Sequence, residues 1–239
     1  MKRVPRLLVA FLPEAGGPVE LDAEGAHHAL RVLRLEPGQA LEALDGRGAR
    51  AEATLIVTGK RARLDCGPCR REMPPHPRLE AWLPLLRPER LEWAVEKLTE
   101  LGVAVITLYH SDRTGNQRRP PALERLGRVA EAALLQSGNP WRPQLRGPLG
   151  LTELLERPEP PLALADRAGV TLSPSLLACK SDEAGLALLA GPEGGFSPEE
   201  LQVLAKRCRA RIGLGPHVLR AESALVILAG LARALTPRA

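Results

Sequence analysis

Apolar and polar residues alternate through much of the first third of the chain, which indicates β-structure rather than helices. The clearest case is the pair of segments Ala40–Asp45 and Ala51–Val57, which alternate on either side of a glycine-containing turn and predict a β-hairpin. The apolar run within Met1–Leu12 predicts a first strand, and Glu24–Arg34 predicts one short helix with basic residues on one side. We therefore expect a small β-barrel over residues 1–72.

The period of the apolar residues changes after Met73–Pro77, a proline-rich segment that marks the start of a second domain over residues 73–239. Continuous apolar runs, typical of buried parallel strands, alternate there with amphipathic segments, typical of helices. The predicted strands are Leu79–Leu86, Val103–Tyr109, Leu162–Asp166, Leu186–Ala190 and Ala210–Leu214, and the predicted helices are Pro88–Leu101, Leu123–Gln136, one capped by Ser197, and Ala221–Leu235. This alternation indicates an α/β fold whose mostly parallel sheet is covered on both faces, with surface loops over Gln117–Pro121 and Asn139–Pro148.

The chain of 239 residues is 44% hydrophobic, which is enough for two modest cores, and its formal net charge is +5. The positive charge favours an anionic partner such as nucleic acid, although a solvated basic surface explains it equally well. No segment reaches the roughly 20 apolar residues of a membrane span, so no membrane association is expected. The N-terminus is basic and then apolar but lacks a small-residue cleavage motif, and we expect a cytoplasmic protein.

Cys66-Gly-Pro-Cys69 has the spacing of the thioredoxin redox motif, which requires a helix N-terminus to activate its first thiol. The prolines of Met73–Pro77 follow closely and disfavour a helix, so we expect a linker turn, with or without a local disulfide, and a redox protein is the minor alternative. Cys179 and Cys208 are isolated and the histidines show no ligand spacing, so no metal site is expected.

Two glycine-rich segments near the C-terminus, Leu188–Phe196 and Arg211–Ser223, each lead from an apolar strand through a loop into a helix. Glycines let backbone groups approach a ligand closely, so the two loops together predict one small molecule held mainly by backbone. Neither loop has the pattern of a dinucleotide-binding fold, and the sequence also lacks the phosphate loop and the nucleophile elbow. Such loops suit an activated donor that needs only orientation, although each by itself also has a purely structural interpretation as a strand-to-helix turn.

These segments resemble the RsmE family, the 16S ribosomal RNA (uracil-N3)-methyltransferases of the SPOUT class. The resemblance rests on motifs along most of the chain, namely Gly191–Ser197, Leu214–Ser223, Lys97–Val103, Glu131–Gly138 and His28–Arg34. It implies a SPOUT-type, mostly parallel sheet with a C-terminal trefoil knot that binds S-adenosylmethionine (SAM), preceded by a PUA-like RNA-binding β-barrel. It also implies a homodimer, with 16S ribosomal RNA or the 30S ribosomal subunit as the partner.

The resemblance assigns roles to residues of the two loops. The cofactor-binding residues that it implies are Leu189, Gly191, Gly194, Ile212, Leu214, Gly215 and Leu219. Loss of the proton from N3 of uridine spreads negative charge onto the neighbouring oxygens, which suits Arg220 as a stabilising cation. Glu222 either orients Arg220, accepts the proton, or acts as an acidic residue at the start of the last helix. Glu193 either supports its loop or contacts the ligand.

RNA binding is expected from basic and polar residues in both domains. The implied residues are Arg6, Arg31, Arg34, Lys97, Glu100, Arg113 and Gln136. Lys97 and Glu100 have an alternative as a simple helical ion pair, and Gln136 has an alternative as a helix cap. The expected function is therefore methylation of N3 of a uridine in 16S ribosomal RNA. The alternatives are a SPOUT-class enzyme that acts on a transfer RNA or a ribose hydroxyl, and an RNA-binding protein without catalytic activity.

Overall fold

The computed structural model describes residues 4–59, 61–114, 122–171 and 185–235. These residues form two compact units. The first unit contains the chain up to Pro74 together with Glu131–Arg142, and the second contains Pro75–Ala130 and the chain from Pro143 onward. The sequence predicted domains over residues 1–72 and 73–239, which places residues 131–142 in the second domain. These predicted boundaries stay a proposal.

The first unit is built on a six-stranded sheet with strand order β1-β3-β4-β5-β2, and β6 pairs with β4. Its elements are β1 (Arg6–Leu8), β2 (Gly17–Glu20), α1 (Ala23–His27) continued by a π-helical turn (His28–Val32), β3 (Ala40–Leu44), β4 (Ala49–Thr58), β5 (Arg61–Cys66) and β6 (Arg70–Arg71). The predicted hairpin is β3 and β4, which pair antiparallel. Its turn is held by Asp45, whose carboxylate accepts hydrogen bonds from the backbone N–H groups of Arg47 at 2.7 Å and Ala49 at 2.9 Å.

Alternation of side chains places an apolar core on one face of this sheet. In β5 the buried residues Ala62, Leu64 and Cys66 alternate with exposed polar residues, as the period of two requires. The predicted first strand is present and covers Arg6–Leu8 of the apolar N-terminal run. The expectation of a linker turn that includes Cys66 is wrong. Cys66 closes β5 rather than lying in a linker, and its thiol is free, as is that of Cys69, so the local disulfide is not formed.

The second unit is a six-stranded sheet with strand order β12-β10-β11-β7-β8-β9, in which every neighbouring pair is parallel. Its strands are β7 (Leu79–Pro84), β8 (Val105–His110), β9 (Gln144–Gly150), β10 (Leu162–Val170), β11 (Leu186–Ala190) and β12 (Cys208–Ile212). Its helices are α2 (Pro88–Glu100), α3 (Leu123–Ser137), which continues into the first unit, α4 (Leu151–Glu156), α5 (Pro198–Arg207) and α6 (Ala221–Leu235).

Helices cover both faces of this sheet, which confirms the predicted α/β architecture. One core cluster joins Leu83 and Ile106 of the sheet to Leu91 of α2 and Leu225 of α6. A second cluster on the sheet joins Trp82, Tyr109 and Leu189 to α4 and α5. Every residue of β7 and β11 is buried, and β11 is a continuous apolar run, as burial on both faces requires. β7 also contains the buried Glu80, whose carboxylate accepts a hydrogen bond from Trp82 Nε1 at 2.9 Å.

The prediction of a loop over Asn139–Pro148 is wrong from Gln144 onward, because Gln144–Gly150 forms strand β9 and α4 follows it directly. Among the described strands β9 lies at the edge of the sheet and pairs with β8 alone, and edge strands tolerate the prolines that argued for a loop. The other predicted loop, Gln117–Pro121, lies outside the described residues. Within the described parts of the chain, no helix is long and apolar enough to cross a membrane.

Candidate functional site

The two glycine-rich loops meet at one edge of the parallel sheet. The first loop (191–197) follows β11, the second loop (213–220) follows β12, and β10 lies between these two strands. Because all three strands are parallel, their carboxyl ends share an edge, which is where open α/β sheets bind ligands. The loops and residues 165–167 of β10 enclose a crevice of about 170 Å³. The sequence predicted a common site for the two loops, and the structure brings them together.

The predicted cofactor residues divide into two groups. Gly191, Leu214, Gly215 and Leu219 line the crevice. Leu189 and Ile212 do not line it, since both are 0% exposed and pack in the two core clusters of the sheet. Gly194 also lies outside the crevice wall and packs against Arg113, where a Cβ would come within 3.0 Å of the Arg113 carbonyl oxygen. A cofactor role for these last three residues stays a prediction.

The backbone of the second loop requires glycine at position 215, whose φ is +114°. This conformation is unfavourable for residues with a Cβ, and nothing lies within 4 Å of the place that a Cβ would take. The constraint therefore comes from the backbone and not from crowding. Gly215 lets the chain turn sharply between Leu214 and Leu219, so that both leucines line the same crevice.

The first loop is held by the start of α5 and by the segment after β8. Ser197 caps α5, accepting a hydrogen bond from the Glu200 N–H at 3.1 Å, while the Glu200 carboxylate accepts one from the Ser197 N–H at 2.8 Å. This is the predicted cap, and it forms a complete capping box. The Ser197 hydroxyl also donates to Asp112 at 2.7 Å, next to Arg113.

Sequence reasoning missed Asp166, which lies in the middle of β10, where the register with β12 shifts, and lines the crevice. Its carboxylate forms an ion pair with Arg211, with Nε at 2.5 Å from Oδ2, and accepts a hydrogen bond from the Ala168 N–H at 3.0 Å. These contacts fix the carboxylate and leave it acceptor capacity toward the crevice. An acidic residue that closes the apolar predicted strand Leu162–Asp166 was the signal that could have found it.

Glu222 is paired with a residue that the sequence did not single out. It is 5% exposed in the first turn of α6, and its two oxygens accept hydrogen bonds from Arg90 Nε at 2.7 Å and Arg90 Nη2 at 2.5 Å. Arg90 also forms an ion pair with Glu193 of the first loop. The hydrogen bond to Glu222, followed by the one to Glu193, raises the pKa of Arg90. The carboxylate of Glu222 is therefore held by Arg90 and not by Arg220.

Arg220 is exposed and immediately precedes α6. In the described part of the chain its side chain has no carboxylate partner, so its guanidinium is available at the end of the second loop. A cation in this position also lies at the N-terminus of a helix, which is already positive. Arg220 therefore adds a positive charge between Leu219 and Ala221, two residues that line the crevice.

The residues predicted to bind RNA lie in both units. In the first unit, Arg6 and Gln136 line a second cavity of about 310 Å³ with His28 and Leu135. Arg6 is half-buried there, since it pairs with Glu42 at 2.7 Å and donates to the carbonyl oxygens of Leu135 at 3.0 Å and Gln136 at 3.1 Å. Arg31 and Arg34 are exposed at the end of the short helix.

The remaining predicted RNA-binding residues belong to the second unit. Lys97 donates to Glu96 at 2.7 Å and to Glu100 at 3.0 Å, and these hydrogen bonds raise the pKa of Lys97, the one to Glu96 more strongly. The helical ion pair that was an alternative for Lys97 and Glu100 is thus present. Arg113 is exposed and donates to the Gly194 carbonyl at 3.3 Å, which places it beside the first loop. Among the described residues no cluster of potential metal ligands occurs.

Comparison with known proteins finds two family models that match separate parts of the chain. Residues 74–233 match the family model described as an RNA methyltransferase domain, and residues 21–63 match the model of an RNA methyltransferase PUA domain. The chain is 31% identical to the ribosomal RNA small subunit methyltransferase E of Mycobacterium bovis over 244 aligned residues, which cover 96% of this chain and 91% of that protein.

Solved structures extend this similarity to three dimensions. A Legionella pneumophila protein in complex with the bound cofactor SAM is 26% identical, with a TM-score of 0.81 and coverage of 97% of this chain and 98% of that one. The ribosomal RNA small subunit methyltransferase E of Neisseria gonorrhoeae, bound to SAM, is 23% identical with a TM-score of 0.82, and 98% of each chain is covered. The latter likeness supports the fold alone.

Proposed function

Because this chain belongs to the ribosomal RNA small subunit methyltransferase E family, we propose that it transfers a methyl group from SAM to N3 of a uridine in the 16S ribosomal RNA of the small ribosomal subunit. The observation that carries the proposal is the convergence of the two glycine-rich loops on one crevice, with an exposed arginine at the end of the second loop. The proposed C-terminal trefoil knot rests on the family resemblance.

The residues of the crevice fit SAM. Leu214, Val218 and Leu219 provide apolar surface for the adenine ring, and backbone groups near Gly191 and Gly215 provide donors and acceptors for its edge. The carboxylate of Asp166 suits the ribose hydroxyls or the α-ammonium group, both of which are hydrogen-bond donors. When bound, SAM supplies an electrophilic methyl group, so the protein has only to orient the two reactants and stabilise charge.

Arg220 is the residue proposed to stabilise that charge. Uridine N3 becomes nucleophilic when its proton passes to water, and the resulting negative charge spreads over the carbonyl oxygens on either side. N3 then takes the methyl group from the sulfonium, and S-adenosylhomocysteine is released. A guanidinium with no carboxylate partner among the described residues can bind such an oxygen through two parallel N–H groups. We assign Glu222 an indirect role, because its carboxylate is buried and is held by the bidentate pair with Arg90.

Basic residues on both units support binding of the RNA. Arg6, Arg31 and Arg34 of the first unit and Arg113 of the second are proposed to contact phosphates, which predicts an affinity that falls steeply with salt. Lys97, Glu100 and Gln136 remain proposals as substrate-side residues. Since the substrate is ribosomal RNA, the enzyme is proposed to act in the cytoplasm.

A homodimer is also proposed, as the family resemblance implies. Ile227 and Leu231 are exposed apolar residues four positions apart on α6, and Trp93 is exposed on α2, which packs against α6. Exposed apolar residues on two packed helices suit burial against a second copy. The crevice lies at the N-terminal end of the same helix α6, since Ala221 and Ala224 line it.

The proposed activity is tested by incubating the protein with methyl-labelled SAM and either 30S subunits or naked 16S ribosomal RNA from cells that lack this modification. We expect label in one uridine, which mass spectrometry of nuclease fragments identifies as 3-methyluridine. Label in transfer RNA or on a ribose hydroxyl would instead indicate another SPOUT-class enzyme. RNA binding without any label would indicate a protein that only binds RNA.

The two cysteines of the CxxC motif are predicted to be dispensable for methyl transfer. Cys66 is buried, and burial, with a smaller contribution from Asp65, raises the pKa of its thiol. The thiol is therefore protonated at neutral pH and a poor nucleophile. We expect Cys66→Ala and Cys69→Ala to keep turnover within about twofold of wild type, as for ordinary substitutions outside the site. Loss of activity in either variant, at unchanged melting temperature, would instead favour a redox role.

A further inference from the structure

Arg90 joins the two loops of the proposed cofactor site through a single guanidinium group. It lies in the first turn of α2, far in sequence from both of its partners, Glu193 and Glu222. Glu193 is two residues after Gly191 of the crevice wall, and Glu222 is two residues after Arg220. In each loop, the carboxylate that binds Arg90 therefore follows the proposed functional residue by two positions.

The sheet explains how these residues meet. α2 follows β7, and β7 is the neighbour of β11, so the start of α2 lies at the same sheet edge as the loop after β11. α2 and α6 also pack against each other, which brings Arg90 to the first turn of α6. Arg90 thus occupies the place where the two loops can be connected.

The chemistry of the contact requires arginine. Its Nε and Nη2 face the two oxygens of Glu222 in a bidentate pair, and Nη1 faces Glu193. A guanidinium offers five N–H donors in a rigid plane, so binding one carboxylate fixes the direction offered to the other. An ammonium group is a point charge and fixes no such direction.

We propose that Arg90 is a positioning residue that locks the first loop to the segment carrying Arg220. The proposal rests on the proposed function, because it assigns to this lock the alignment of the SAM crevice with the reactive arginine. It separates the two contacts by role. The contact to Glu193 holds the cofactor loop, and the contact to Glu222 holds the start of α6 and with it Arg220.

The exposure of the partners makes the two roles separable by experiment. The side chain of Glu193 is 47% exposed, whereas that of Glu222 is 6% exposed. An exposed ion pair adds little to stability, so Glu193→Gln is expected to shift the melting temperature by no more than about 3 °C. A loss of SAM affinity in this variant would therefore come from displacement of the first loop and not from unfolding of the protein.

The test compares SAM affinity, KM and kcat in four variants. Glu193→Gln should raise the KM and Kd for SAM about tenfold with kcat nearly unchanged, and Glu222→Gln should mainly lower kcat, since small misplacements of a catalytic group cost up to about 10²-fold. Arg90→Lys should change both. The double variant Arg90→Met/Glu222→Gln contains no unpaired buried charge, so it should recover thermal stability while kcat remains low.

Arg125→Lys is the matched control. Arg125 of α3 pairs at 2.6 Å with Glu92, which lies on α2 as Arg90 does, and no ion pair joins it to either loop among the described residues. Arg125→Lys should leave SAM affinity, KM and kcat at their wild-type values. The lock is refuted if Arg90→Lys has wild-type kcat and KM, or if the double variant regains wild-type turnover along with its stability.

Hydrogen exchange separates failure of the lock from failure of the proposed function. In Arg90→Lys, amides of the first loop and of the first turn of α6 should exchange at least tenfold faster, with or without any substrate, while those of β11 remain protected. Unchanged exchange at both sites would overturn the proposal even if the wild-type enzyme methylates RNA. Faster exchange in a protein that never binds SAM would retain the lock and reject the methyltransferase assignment.

Discussion

Replacing Arg220 with alanine is expected to lower kcat for methyl transfer by about 10²- to 10³-fold, the usual cost of removing one group that stabilises developing negative charge. The affinity for SAM should change less than about threefold, because Arg220 is exposed at the end of the second loop and does not line the crevice. The stability of the fold should also be retained, since no described carboxylate loses its partner.

Two further variants define the result for Arg220. Arg220→Lys keeps the charge but not the two parallel donors, so it should recover only part of the lost activity. Arg128→Ala removes an exposed arginine from α3 and should leave kcat unchanged. Single-turnover rates measured with saturating SAM and RNA give the comparison. Equal rates for wild type and Arg220→Ala would remove Arg220 from the mechanism.

Replacing Gly215 with valine is expected to weaken SAM binding by about tenfold to 10²-fold. The φ of +114° at this position is strained for any residue with a Cβ, and most of all for a β-branched one. Strain of this kind costs about 1–3 kcal/mol, which the loop relieves by leaving the conformation that forms the crevice. The expected loss of affinity follows from this strain energy, because about 1.4 kcal/mol corresponds to a tenfold change in Kd.

Gly38→Val is the control for Gly215→Val. Gly38 also has a positive φ, +82°, and open space around its Cβ position, but it lies in a turn of the first unit. Gly38→Val should lower the stability of the protein by a similar amount without changing its affinity for SAM. Isothermal titration calorimetry with both variants decides the matter, and equal SAM affinity for Gly215→Val and wild type would show that the second loop does not shape the cofactor site.

The fold could be predicted from sequence wherever a periodic pattern and a local signal agreed. Leu186–Ala190 and Ala221–Leu235 have the bounds that their apolar patterns predicted, and Ser197 caps α5 as its sequence indicated. β9 was missed because it is an edge strand, where half-buried residues and prolines look like a loop. The extra segment 131–142 of the first unit depends on distant contacts such as that between Arg6 and the Leu135 carbonyl, which leave no local pattern.

The site was predictable to the extent that it is built from backbone. The glycines and leucines of the two loops indicated a ligand, and four of the residues that the family resemblance assigned line the crevice. The roles of single charged residues were harder to predict, because they depend on partners brought close only by the sheet. Arg90 lies 132 positions before Glu222, and no spacing rule in the sequence connects them. Without that contact, Glu222 looked equally suited to orient Arg220 or to accept a proton.

The most direct test of the proposed cofactor site is a crystal structure of the protein with SAM. We expect the cofactor in the crevice between residues 191–197 and 213–220, with its adenosine portion against Leu214 and Leu219 and its sulfonium end toward Arg220. Clear density for SAM at any other place on the chain, or a protein that takes up no SAM at millimolar concentration, would contradict this assignment.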